Sequence, residues 1–147
     1  MSSLVFFDSN ILVYMDDLSS AAKRETAIEL VTEHFAGETA VVSLQVLQEY
    51  FSVTTRKLGV SAELAQEKIA VFARGRVVRF EVSDVIAAIE LHRLTRIPFW
   101  DALIVQAARA ARAAVGPWSR ASLRFEGSRT GLAWPATARS SSTSGRK

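Results

Sequence analysis

Cysteine is absent from the 147 residues, and histidine occurs twice, as His34 and His92. Without thiols, disulfides and thiolate zinc sites are excluded, and a reducing cytoplasm is the expected home. Two imidazoles are too few for a histidine-rich metal centre, so any metal here would be held by oxygen. No run approaches the ~18 apolar residues that suggest a membrane span, and no basic region precedes the N-terminal apolar stretch. A soluble intracellular protein with no membrane partner is the expectation. There is no internal repeat, and the length is that of one domain able to bury a real core.

Acidic residues are scarce at one end. Residues 1–108 hold 10 Lys/Arg against 14 Asp/Glu, a net of −4, while residues 109–147 hold 8 Lys/Arg against Glu126 alone, a net of +7. The formal net charge of +3 therefore belongs to the tail. Such a tail can touch RNA or another acidic partner by electrostatics alone, but its composition, low in aliphatics and rich in Ser and Arg, is first that of a solvated, poorly ordered end.

What is present is organised around Leu4-Val5-Phe6-Phe7-Asp8-Ser9-Asn10. A short apolar run ending in a carboxylate reads as a strand buried on both faces of a parallel sheet. A short helix follows through Tyr14, and helical spacing of Ala27, Ile28, Leu30, Val31 and Phe35 predicts a helix over 21–35, stopped at Gly37. Residues 39–42 form a second buried strand closing on Ser43, the N-cap of a helix to about Leu58. Its stripe is Leu44, Leu47, Phe51 and Leu58, widened by Val46, Tyr50 and Val53. Ser61 caps another helix with Leu64, Ile69, Val71 and Phe72 inward. A third strand spans 77–80. Ser83 begins a helix burying Val85, Ile86, Ile89 and Leu94. After Pro98, Trp100 opens an Ala-rich helix to about Ala114. Strands alternating with helices predict an α/β fold with a parallel sheet covered on both faces.

Three acids stand out by position. Asp8 ends the first strand, where open α/β sheets collect ligands, although Asp is also a favoured N-cap. Glu49 shares a helical face with Val46 and Val53, whereas a solvated carboxylate usually lies on the opposite face; a boundary carboxylate reaching for water is the alternative. Asp101 opens a helix, which the macrodipole alone would favour. Together the three can converge on one sheet edge. A divalent cation relieves the repulsion of clustered carboxylates, and hard oxygen ligands suit Mg²⁺ or Mn²⁺. Such a cation generates hydroxide and neutralises charge on a phosphodiester. Asn10 and Ser43 would orient the ligands or the attacking water from behind.

The segments VFFDSNILVY at 5–14, VVSLQVLQEYF at 41–51 and FWDALIVQAA at 99–108 resemble, in order and spacing, the PIN-domain family, and within it the VapC-type toxins. The resemblance covers roughly residues 3–114. It implies a three-layer α/β/α sandwich around a short parallel sheet, and a metal-dependent endoribonuclease cutting single-stranded or loop RNA. It also implies inhibition by a cognate antitoxin and a homodimer. Asp8, Glu49 and Asp101 match the family's first three acidic ligands, and Asn10 and Ser43 its polar supports.

The chain departs from that pattern further on. The family's fourth acid, in a Ser-Glu-Asp-Leu-like stretch after a final strand, has no counterpart in Trp118-Ser119-Arg120-Ala121-Ser122. No convincing strand is legible from Val115 onward, so the expectation is a PIN-like domain over 1–114 with its last strand degraded and a basic Ser/Arg-rich tail over 115–147. The tail's composition resembles an out-of-frame segment. A weak or inactive nuclease follows, with a non-catalytic antitoxin-binding module as the alternative. A phosphotransfer enzyme of the haloacid-dehalogenase kind would use Asp8 as nucleophile, but it wants a second Asp where Asn10 stands.

Overall fold

The computed structural model describes residues 3–115. The expectations for Trp118–Ser122 and for the rest of the tail lie outside them.

Ten elements follow the chain: β1 (Val5–Phe6), α1 (Ser9–Tyr14), α2 (Ala21–Ala36), β2 (Ala40–Ser43), α3 (Leu44–Lys57), α4 (Ala62–Phe72), β3 (Arg76–Val78), α5 (Val82–Thr95), α6 (Phe99–Ala111) and β4 (Ala114–Val115). All strand pairs are parallel, in the order β3-β2-β1-β4, with Val5 opposite both Ala40 and Ala114. The chain steps outward from β1 to β2 to β3 and then returns to the far side of β1. With right-handed crossovers, that path sends α1–α4 to one face and α5–α6 to the other. Packing agrees: α1 meets α2 and α3, α3 meets α4, and α6 lies across β1, β2 and β3. The result is the expected three-layer α/β/α sandwich.

The strands are short but dry. Phe6, Phe7, Val41 and Val42 are fully buried. Neighbours along a strand point to opposite faces, so each strand feeds both helical layers. A second, smaller cluster joins Ala88, Ile97, Ala102 and Leu103 between α5 and α6.

Several helices turn a different face inward from the one expected. In α3 the buried residues are Val46, Leu47, Tyr50 and Thr54, while Leu44 and Phe51 are both 41% exposed. Thr54 is tolerated in the core because its hydroxyl donates to the Tyr50 carbonyl at 2.7 Å within its own helix. Leu64 and Val71 of α4, and Ile86, Ile89 and Leu94 of α5, are exposed rather than inward. The α5 helix starts at Val82, not Ser83, because Glu81 and Asp84 form a reciprocal capping box.

Helix ends follow the sequence more closely. Ser43 and Ser61 cap α3 and α4 by accepting from the N–H groups of Val46 and Leu64, each at 3.2 Å. Gly59, just past α3, takes φ 69°. Gly37 ends α2 at φ −82°, and the left-handed turn falls on Glu38 at φ 55°. A two-residue strand also stands at 114–115, where the sequence suggests none: the Ala114 N–H donates to the Leu4 carbonyl at 2.9 Å, closing the sheet beside β1.

Candidate active site

The carboxyl edge of the sheet is where the candidate residues meet the backbone. Strand order reverses about β1, the place at which open parallel sheets bind ligands. Asp8 follows β1 directly and is fully buried. Its Oδ1 accepts from the Ile11 N–H at 3.3 Å, so it does cap α1. Ser43 ends the neighbouring β2 at 2% exposure, and its hydroxyl is the acceptor that starts α3. Asn10 lies half-buried in the first turn of α1.

Asp101 arrives from the opposite layer. It occupies the first turn of α6 and is 7% exposed. The N-cap there is Pro98, which has no side-chain acceptor to offer. Because α6 leads into β4, parallel to β1, its N-terminus sits at the same carboxyl edge as Asp8.

Glu49 is half-buried on α3. The Ser9 hydroxyl donates to its Oε2 at 2.7 Å, and the Gln45 amide donates to its Oε1 at 3.1 Å. Neither donor is among the sequence-derived candidates. Gln45 was findable, since a Gln four residues before a Glu on a helix is a natural partner. Ser9 was visible only as the neighbour of Asp8.

Beside Glu49, the fully buried Tyr50 donates from its hydroxyl to Asp16 Oδ2 at 2.6 Å, and Lys68 of α4 pairs with the other oxygen of Asp16. Burial first, then the hydrogen bond to Asp16 and the charge of Asp16, raise the Tyr50 pKa well above the ordinary tyrosine value. This network ties the α1–α2 turn to α3 and α4.

Carboxylates and hydroxyls without thiolate suit a hard cation. Among the described residues, no group of three or more His, Cys, Asp or Glu side chains is gathered as a metal-holding cluster. The donor chemistry fits Mg²⁺ or Mn²⁺, while the side chains are not drawn together around one point.

A parallel-sheet α/β/α domain with buried acids at its carboxyl edge is the class these observations define. Residues 5–115 match the PIN domain family, and the chain belongs to it. No curated protein matches the sequence. Among solved structures the fold is similar to a chain of a toxin–antitoxin complex from Klebsiella pneumoniae, with a TM-score of 0.56 and 17% identity, covering 77% of this chain and 83% of that one. Membership of the PIN family sets aside the aspartyl-phosphate reading of Asp8. Among the described residues, no helix is long and apolar enough to cross a membrane.

Proposed function

We propose that this chain is a VapC-like toxin of a toxin–antitoxin pair, a ribonuclease that hydrolyses RNA phosphodiester bonds with Mg²⁺ or Mn²⁺. The observation that carries the reading is the burial of Asp8 and Asp101 at one sheet edge, contributed by opposite helical layers. Both follow elements that end or begin at the edge where open parallel sheets bind ligands, and hard oxygen donors placed there suit a divalent cation. Asp8, Glu49 and Asp101 would hold the cation, which supplies an activated water and neutralises charge on the scissile phosphate. Asn10 and Ser43 support that edge with neutral polar groups, and the basic residues after 108 offer phosphates a counter-charge. No acid stands among residues 118–122 to complete the ligand set, so the proposed activity is weak.

The partner reading rests on a groove. Met15, Val31 and Phe35 on one side and Val71 and Phe72 on the other line an open cavity of about 560 Å³ between α2 and α4. Its apolar lining and its Glu38 and Arg74 rim suit the side chains of an amphipathic antitoxin helix. A homodimer and a cytoplasmic location complete the proposal.

The decisive experiment incubates the purified chain with end-labelled single-stranded RNA in millimolar Mn²⁺ or Mg²⁺, with and without EDTA. Slow, EDTA-sensitive cleavage that disappears in Asp101→Asn is expected. Cleavage unaffected by Asp101→Asn would overturn the site. The lack of any acid among residues 118–122 is the reason to weigh a second reading, a PIN module that binds its antitoxin without cutting RNA. No cleavage at any Mn²⁺ concentration, with an antitoxin complex still formed, would select it.

A further inference from the structure

Both oxygens of the Glu49 carboxylate are engaged by neutral donors that come from different elements. Ser9 reaches it from the first turn of α1 at 2.7 Å, and Gln45 from one helical turn earlier on α3 at 3.1 Å. The Ser9 contact has the length of a charge-assisted O–H···O⁻ bond. A glutamate on a half-exposed helical face otherwise samples several rotamers, and ordering it when a ligand arrives costs entropy. Here that ordering is already in place.

The choice of donors matters. An Arg or Lys partner would compete with a cation for the carboxylate, whereas a hydroxyl and an amide add no positive charge. Each carboxylate oxygen has room for about two partners, so each keeps one direction open after accepting its single bond. Ser9 is also the residue after Asp8, which caps the same helix. One turn of backbone thereby sets the position of two acids on different elements.

We propose that Ser9 and Gln45 are positioning residues that pre-set the Glu49 carboxylate for a divalent cation. The assignment rests on the reading of Glu49 as a ligand, and its test separates the two. Mn²⁺ is titrated into the full chain by calorimetry, with free Mn²⁺ followed by electron paramagnetic resonance. The variants are Ser9→Ala, Ser9→Thr, Gln45→Met, Glu49→Gln and the Ser9→Ala/Glu49→Gln double variant, and metal-free melting is recorded for each. Ser9→Ala and Gln45→Met are expected to bind Mn²⁺ about 10-fold more weakly, with the metal-free chain still melting cooperatively and Ser9→Thr restoring most of the affinity. In the Glu49→Gln background, Ser9→Ala should have no further effect, as required of a residue acting through Glu49.

Wild-type affinity in Ser9→Ala and Gln45→Met, alongside a weakened Glu49→Gln, overturns the positioning role and leaves the ligand reading standing. An additive loss in the double variant also overturns it. A Glu49→Gln variant as tight as wild type removes the ligand reading and the positioning role with it.

Discussion

Asp8 shows how one residue can satisfy two accounts. Its Oδ1 caps α1 through the Ile11 N–H, and its burial is complete. Asn accepts the same hydrogen bond, so the two roles are separable by mutation. Asp8→Asn keeps the cap and is expected to bind Mn²⁺ at least ~10-fold more weakly. Asp8→Ala should lose affinity and also about 1 kcal/mol of stability with the cap. If the Asn variant binds Mn²⁺ as tightly as wild type, Asp8 is not a metal ligand. Sequence alone left both accounts open at this position, because a strand-end carboxylate and a helix-cap carboxylate occupy the same place in the chain.

At the scale of elements, the Asp16, Tyr50 and Lys68 network joins three segments that sequence reasoning treats separately. Tyr50 reads from its spacing as one more apolar member of the α3 stripe. Its ring does pack edge-on against Phe72, with centroids 5.1 Å apart. The hydroxyl adds a second role by holding Asp16. Tyr50→Phe keeps the packing and is expected to cost about 1–2 kcal/mol at neutral pH, measured by urea unfolding. The sign of the pH dependence follows from the raised pKa. Unfolded tyrosine ionises near pH ~10, so the stabilisation is complete below that pH and is lost as pH rises above it. The gap between wild type and Tyr50→Phe should therefore narrow between pH 8 and pH 11. A constant gap would show that the hydroxyl contributes nothing that titrates.

Over the whole molecule, the face carrying α2 and α4 differs in chemistry from the carboxyl edge of the sheet. It exposes Val71 at 53% and opens the groove lined by Phe35 and Phe72. Val71→Glu places a charge in that groove at an exposed position, where substitutions usually move stability by no more than about 0.5 kcal/mol. Co-expression with the proposed antitoxin is expected to yield a co-purifying complex with wild type and little or none with Val71→Glu, with Mn²⁺ binding unaffected. Undiminished co-purification would move the antitoxin to another surface.

What the sequence determined by itself is local or chemical. The apolar runs, the Ser43 and Ser61 caps, the stop at Gly59 and the positions of Asp8, Glu49 and Asp101 all depend on contacts within about one helical turn, or on residue identity. The parallel α/β class follows from the alternation of those elements. Only the tertiary structure decided which side of each helix is dry. Leu44 and Leu47 are equally apolar in sequence, but Leu47 is buried and Leu44 is not, because the angle at which α3 leaves β2 turns the Tyr50 and Thr54 side onto the core. The same holds for β4, whose two residues become a strand only because Leu4 offers an unpaired edge. The Ser9–Glu49 bond spans 40 residues of chain. No periodicity or cap encodes such a pair; it exists because α1 and α3 pack together on one face of the sheet.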